Sequence, residues 1–207
     1  MMAQIGDTGR YQGKQYTLVA ASAPGLFEPG QYDMAAHPVV KECHRGHWCE
    51  YAVEEDALVL KDLYLFNERG EYPPLNGRDI LPPEQREGAY LPVSKRLRRS
   101  PLDNARMSHH HYKDVDLPIP YTGRLLLGEG LLGEFRVSAG FQPGWAYREL
   151  IELVFRGGRL VECRDLSAAA RAKRQALRSA PAGQGKPQDI GDSFSLDYAV
   201  KARWLSE

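Results

Sequence analysis

The sequence predicts a mainly β protein, built as an antiparallel meander or open barrel-like sheet of hairpins. Apolar and polar residues alternate at period two in residues 47–55 and 149–156, which is typical of half-buried strands. Turn-forming residues follow each of these segments, and an apolar return segment comes next. Strong helix formers are concentrated in residues 167–180, so we expect one C-terminal helix, with Ser167 as its N-cap.

The densest aromatic, sulfur and imidazole content lies in residues 42–66, which predict a central β-hairpin. Residues 54–57 are poor strand formers and mark its turn. The apolar phase of the return strand changes between Leu60 and Leu63. One inserted residue explains that change, so we predict a β-bulge near Asp62.

This hairpin also carries a resemblance. Its motifs are Cys43-x-Arg45-Gly46, Tyr51-x-Val53 and Leu58-x-Leu60, followed later by Tyr121-Thr122-Gly123-x-Leu125. They resemble a family of uncharacterised bacterial proteins with C-x-R-G-Y, W-x-I, L-x-L and aromatic-Ser-Gly-x-Leu segments. His47 stands where that family usually has tyrosine, and the likeness covers about a quarter of the chain. The resemblance implies a bacterial origin and transfers no activity or catalytic residue.

Two further hairpins are predicted downstream. The glycines in residues 128–130 supply the positive φ of a tight turn, so residues 125–137 predict a second hairpin. Gly157-Gly158 predicts a two-residue type I′ turn for a third. Two-residue pairing then places Phe155 opposite Leu160 and Val154 opposite Val161.

The remaining segments predict the domain organisation. Residues 1–14 are polar and expected to be loose, and residues 16–21 read as a first strand. Eight of the fourteen prolines fall in residues 67–120, which predicts an insertion without long regular elements that packs over the sheet. We expect a helical turn at 82–87 and a short strand near 91–93 within it.

The whole of residues 1–180 is therefore expected to form a single β-rich domain. Residues 181–193 read as a linker, because they are rich in proline, glycine and glutamine. Residues 194–207 form an apolar tail. The tail either folds back onto the sheet or binds a partner, and folding back is the expectation.

Composition limits the functional classes. The 207 residues carry zero formal net charge, so bulk charge favours neither nucleic-acid nor anionic-membrane binding. Three cysteines argue against a disulfide framework. The first residues lack the apolar segment of a secretory signal, and no apolar run is long enough for a membrane span. We expect a cytoplasmic protein without a cofactor, of unknown oligomeric state.

Two clusters have side chains suited to chemistry. The first cluster consists of Cys43, His44, His47 and Cys49. Thiolates and imidazoles bind zinc, so a metal site is its alternative role, although the spacing of these residues does not match the usual zinc motifs. A histidine near a carboxylate is suited to acid–base catalysis. The alternative catalytic set is accordingly His47, Asp62 and His110, taken from the histidine run 109–111.

The absence of a recognised catalytic motif, together with eleven tyrosines, favours a binding protein over an enzyme. The leading hypothesis is a bacterial protein-binding module, such as a toxin-neutralising (immunity) or scaffold protein. Its expected contact residues are Arg45, Trp48, Tyr64 and Trp204. The alternative is a small-molecule-binding protein or enzyme with a pocket at the mouth of the sheet. A nucleic-acid accessory role would need the basic clusters at 95–99 and 171–178 to share a face.

Overall fold

A computed structural model describes residues 3–83, 105–106, 108–179 and 190–206. The chain is mainly β, with one C-terminal helix, as the sequence predicts. The strands are β1 (Thr8–Tyr11), β2 (Lys14–Ala21), β3 (His47–Glu54), β4 (Ala57–Leu65), β5 (His110–Tyr112), β6 (Leu117–Pro118), β7 (Gly123–Leu131), β8 (Tyr147–Arg156) and β9 (Arg159–Asp165). The helices are α1 (Ser167–Ser179) and the single turns α2 (Ile190–Ser193) and α3 (Tyr198–Lys201).

The sheet closes on itself. Its pairing path runs β3–β1–β2–β7–β8–β9–β4, and β4 pairs in turn with β3. Most neighbours are antiparallel, whereas β1 lies parallel to β3. Between β4 and β9 the ring is closed by one bridge, Ala57 to Arg159, flanked by the hydrogen bond from Leu58 N–H to the Gly158 carbonyl. The result is a small barrel rather than a simple meander, since β1 and β3 are not joined by a hairpin.

The central hairpin has the predicted turn and bulge. Glu55 and Asp56 both have positive φ, 48° and 62°, in the two-residue turn between β3 and β4. The ladder shifts between Glu50 and Tyr51, so that Lys61 has no residue opposite it. The predicted bulge near Asp62 is thereby confirmed. It allows the leucines on both sides of it to point into the barrel.

The third hairpin is confirmed, with one correction to its register. Gly157 and Gly158 have φ of 57° and 81°, as a type I′ turn requires. Phe155 lies opposite Leu160, as predicted, but Val154 lies opposite Glu162. The predicted pairing of Val154 with Val161 is wrong because Val161 is the extra residue of a second bulge.

The predicted second hairpin is wrong. Strand β7 continues through Gly128 and Gly130, and β8 supplies its partner. A Cβ on Gly128 would lie 2.5 Å from ring atoms of Tyr147, so this glycine permits the tyrosine ring to cover the strand. Beyond the strand the chain forms a 3-10 turn, Gly133–Phe135, instead of returning.

The N-terminal segment was also expected to be loose, and it instead supplies β1. Strand β1 pairs with β2 across the turn at Gln12 and Gly13 and with β3 on its other side. Its sequence, TGRY, contains no apolar alternation from which a strand could be predicted.

Three apolar clusters stabilise the fold. The barrel interior is filled by the side chains of Tyr16, Leu18, Tyr51, Leu58, Leu60, Leu63, Leu65, Leu125, Leu127, Leu153 and Phe155, with others from the loops. A second cluster lies outside β2, β7 and β8, beneath α1 and the tail. A third, around Trp48 and Tyr64, lies outside β3 and β4. Loops and helix thus cover both outer faces.

The proline-rich insertion packs over the sheet as expected. Its described part adds the short strands β5 and β6 to β4. It also contributes Leu75, Tyr112, Val115 and Ile119 to the barrel core. The strand expected near 91–93 and most of the helical turn expected at 82–87 lie outside the described residues.

The C-terminal region docks on the barrel. Buried Ala170 sets α1 against β8, and Arg174 donates to the carbonyls of Trp145 and Tyr147 at 2.9 and 2.6 Å. The Ser167 hydroxyl accepts from Leu150 N–H at 3.1 Å, which ties the start of the helix to the sheet. Of the expected linker, residues 181–189 lie outside the described part of the chain.

The apolar tail folds back, as expected. Ala21 N–H donates to the Leu196 carbonyl, and Tyr198 and Trp204 are buried against the sheet. Lys201 is fully buried and donates to the carbonyls of Phe141 and Ser193, both at 3.1 Å. Within the described residues, no helix has the length and apolar character that a membrane crossing requires.

Substituting Gly128 tests the close packing of Tyr147 on β7. We expect Gly128→Ala to destabilise the protein by about 1–3 kcal/mol, because the added methyl group forces the ring or strand to move. Gly133→Ala is the matched control, since no atom lies within 4 Å of its Cβ position. Urea unfolding measures both, and equal midpoints for the two variants would contradict the packing interpretation.

Candidate functional site

An aromatic column runs across the outer face of β3, β4 and β5. Trp48 lies directly opposite Tyr64, which lies directly opposite His111 in the next strand pair. The Trp48 and Tyr64 rings stack at 4.5 Å between centroids, and Tyr64 and His111 stack at 4.0 Å. The register of the sheet therefore builds the column. The Arg106 guanidinium lies 5.2 Å over Tyr64 and pairs with Glu50 at 3.0 Å.

The alternative catalytic set, His47, Asp62 and His110, is not brought together. His47 Nδ1 contacts the Arg45 carbonyl at 3.1 Å, and His110 Nδ1 contacts the Tyr72 hydroxyl at 2.9 Å. Asp62 instead meets His111 Nε2 at 2.8 Å. This pair resembles an acid–base dyad, but His111 is stacked on Tyr64 and the three predicted groups do not converge.

The alternative metal cluster is also dispersed. Cys43 Sγ donates to the His47 carbonyl, His44 Nδ1 contacts Gln4 Oε1 at 2.7 Å, and Cys49 points into the barrel core. Burial raises the pKa of the Cys43 thiol to about 11 and that of Cys49 well above its usual value, which disfavours the thiolates that bind metal. Among the described residues, no group of three or more potential ligands lies close enough to hold a metal ion.

The four expected contact residues are used inside the chain. Trp48, Tyr64 and Trp204 are 1%, 4% and 9% exposed, so a partner cannot reach them in this conformation. Arg45 forms an ion pair with Asp7. In this conformation the insertion covers the outer face of β3 and β4, and the tail buries its own tryptophan.

Asp7 is the functional group that sequence reasoning missed. Its buried carboxylate accepts from Arg45 Nη1 and Nη2 at 3.1 and 2.7 Å, and from Cys49 N–H at 2.8 Å. Burial raises the pKa of this carboxyl, but the Arg45 charge, His47 and the donated hydrogen bonds outweigh burial and lower it below the usual value. Asp7 stays ionised and joins the start of β1 to β3.

The barrel interior leaves little space. An apolar pocket of about 10 Å³, with room for about one water molecule, lies between β1, β3 and β8. Its walls include Leu18, Tyr51, Leu127, Leu153 and Phe155. Neither His47, Asp62 nor any histidine of the 109–111 run lines it. The pocket is apolar, but in this conformation it is far smaller than the roughly 300–1,000 Å³ of small-molecule sites.

Strand β9 has a free edge at Val161–Asp165. Leu160 N–H still donates to the Asp56 carbonyl at the hairpin tip, but beyond it β9 has only β8 as a strand neighbour in the described chain. All residues of the free edge are exposed, and Val161 is 52% exposed. An exposed strand edge presents unpaired backbone donors and acceptors to another strand.

Two arginines of the basic cluster at 171–178 have partners within the described structure. Arg174 is buried against backbone carbonyls, and Arg178 pairs with Glu134. The other basic cluster, at 95–99, lies outside the described residues. Comparisons of the chain with protein-family models, curated proteins and solved structures found no match.

Removing the Asp7 carboxylate charge tests its role in closing the barrel. We expect Asp7→Asn to destabilise the protein by about 3–5 kcal/mol, because it leaves the Arg45 charge without its partner in a buried site. Lys14→Ala removes the exposed Lys14–Glu149 pair and should cost far less, because exposed ion pairs contribute little to stability. The free energies come from urea unfolding, and similar costs for both variants would refute the closing role.

His47 predicts a pH dependence of stability. Burial, with the Arg45 charge, lowers the pKa of His47 to about 4, whereas the unfolded chain has a value near 6.5. The unfolded state therefore binds the proton more readily, and stability should fall as the pH drops from about 6.5 to about 4, by roughly 3 kcal/mol.

His47→Gln should flatten this dependence, leaving the contributions of His44, His109 and His110, whose pKa values burial also lowers. Urea midpoints between pH 4 and 8 measure the effect. An unchanged slope in His47→Gln would show that His47 is not the titrating group.

Proposed function

We propose that this protein is a protein-binding module whose contact site is the free edge of β9. The observation that carries the proposal is the exposure of Val161–Asp165 without a strand partner on one side among the described residues. Addition of an extended segment to a sheet edge is a common mode of protein recognition. The backbone then supplies affinity and the side chains supply specificity.

The filled barrel supports binding outside rather than inside. Leucines and aromatic rings occupy its interior, and the remaining pocket does not include the histidines or Asp62. The free edge, in contrast, is bounded by fixed structure at both ends. The hairpin tip at Asp56 contacts Leu160, and α1 begins at Ser167. An incoming strand would therefore meet a defined length of edge.

The finer role that we propose is toxin neutralisation or scaffolding in a bacterial cytoplasm. It follows from the resemblance to bacterial proteins and from the absence of a catalytic motif in the sequence. The alternative, a small-molecule-binding protein or enzyme, would require the apolar pocket to open, because its present volume of about 10 Å³ admits about one water molecule.

Edge-blocking substitutions test the proposal. Lysine protects natural strand edges, so we expect Val161→Lys/Glu162→Lys to lose a stoichiometric partner that the wild-type protein captures from lysate of its native host. Quantitative mass spectrometry identifies and counts that partner. The matched control, Val39→Lys/Glu68→Lys, makes the same charge change at exposed positions elsewhere and should retain the partner.

The outcomes separate the two candidates. A partner that the edge-blocked protein still captures would move the interface away from β9. Capture of no partner by any of the three proteins would count against the binding of a different protein by this chain.

A further inference from the structure

We infer that the strand accepted by the free edge of β9 is β9 of a second copy of this chain. The two strands would run antiparallel, with Cys163 of one copy opposite Cys163 of the other. This inference rests on the proposed use of the free edge, and it names the partner. The contact would be isologous, so that the same surface serves both copies around a two-fold axis.

The length of the free edge favours this register. On one side it is limited by the hydrogen bond from Leu160 to Asp56, and on the other by the bond from Leu166 N–H to the Leu150 carbonyl and by α1. Cys163 is the midpoint of Val161–Asp165. Two copies of a short edge pair along their full length only when their midpoints meet. Any slip would push one copy against the hairpin tip or the helix of the other.

The charges favour the same register independently. With Cys163 on the two-fold axis, Glu162 of each copy faces Arg164 of the other. Opposite charges directly across an antiparallel pair are stabilising, and like charges are destabilising. A register centred on Glu162 would place the two Glu162 carboxylates opposite each other. A register centred on Arg164 would place the two Arg164 guanidinium groups opposite each other.

These two side chains already lie in the required place. Arg164 Nε and Nη2 donate to Glu162 at 2.6 and 2.8 Å within one chain, on the outer face of β9. Both are about half exposed, at 50% and 47% of the side chain. Pairing of two copies would set two such ion pairs side by side, with alternating charge. Glu152, opposite Arg164 in β8, extends the network at each side.

Cys163 gives this register a chemical signature. Its side chain is exposed, whereas Cys43 and Cys49 are buried. Opposite Cα atoms in an antiparallel pair are about 4.5–5.5 Å apart, within the range of about 4.4–6.8 Å that a disulfide spans. Mild oxidation should therefore link two copies through Cys163 alone.

Sedimentation equilibrium of the reduced, full-length protein tests self-association. We expect a reversible dimer for the wild-type protein and for Glu68→Arg, a charge reversal at an exposed position distant in sequence from β9. Glu162→Arg should raise the dissociation constant of the dimer at least tenfold. In each of the two symmetric contacts it places an arginine opposite Arg164 of the other copy. A wild-type dissociation constant weaker than about 1 mM, or a dimer unaffected by Glu162→Arg, would overturn the inference.

Cross-linking in a Cys163→Ser background tests the register. E162C and R164C variants, each oxidised alone, should form little covalent dimer, and an equimolar mixture of them should form it readily. Circular dichroism and urea unfolding verify that each variant is folded, since Arg164 also pairs with Glu152. Equal cross-linking by E162C alone and by the mixture would contradict the Cys163-centred register.

Failure of this inference is distinguishable from failure of the proposed function. A monomeric wild-type protein whose captured partner is lost on edge blocking would disprove self-pairing and support binding of another protein at β9. A captured partner retained on edge blocking would instead disprove the proposed site, whatever the association state of the wild-type protein.

Discussion

The buried ion pair between Asp7 and Arg45 is the interaction on which the closed barrel depends. Strand β1 has few ladder partners on β3, and a parallel neighbour cannot be held by a tight turn. The Asp7 carboxylate supplies the missing connection by accepting from Arg45 and from Cys49 N–H, while the Asp7 carbonyl accepts from Leu18. Asp7 therefore connects the start of β1 to β3 through its carboxylate, and to β2 through its backbone carbonyl.

Burial strengthens the interaction between Asp7 and Arg45 but also carries a free-energy cost. A buried charge pair loses much of its hydration, so its benefit depends on good geometry and on further hydrogen bonds to the same groups. Asp7 has both, since Arg45 binds it through two nitrogens and the β3 backbone donates a third bond. Neighbouring His47 is kept neutral in this setting, because burial and the Arg45 charge lower its pKa to about 4. The fold thus excludes a second positive charge near the pair.

The local parts of this fold could be predicted from sequence, and the non-local parts could not. Gly157-Gly158 and the leucine phase change each report on neighbouring residues, so the turn and the first bulge were predictable. The parallel pairing of β1 with β3 has no local signal, and Asp7 looks like any polar residue near a chain start. Gly128 led to the wrong prediction of a hairpin turn, because sequence does not distinguish a glycine in a strand from a glycine in a turn. The reason for this glycine, the Tyr147 ring packed over it, is visible only in the structure.

The candidate site shows the same limit. Alternation in β3 separates Trp48 from Cys49 and Tyr51, but it does not show which face of the strand a partner could reach. The insertion covers the face that carries Trp48, which no pattern within β3 could indicate. The free edge of β9 was also unpredictable, because it exists only where the β3–β4 hairpin ends at Asp56 and leaves the rest of β9 beyond its reach. The predicted contact residues are mostly aromatic, whereas the structure leaves the backbone edge of β9 available for binding.

An exposed strand edge is a hazard that natural proteins restrain with charges and bulges, and β9 has both. Val161 forms the bulge, and Glu162 and Arg164 supply the charges. Charges of one sign would repel every incoming copy, but these two have opposite signs and lie on the same face, one residue either side of Cys163. They penalise the symmetric registers centred on either charge and favour the one centred on the cysteine. The same features that restrain indiscriminate pairing therefore select a single partner strand, and pairing of two β9 edges occupies both, so this contact forms no more than a pair.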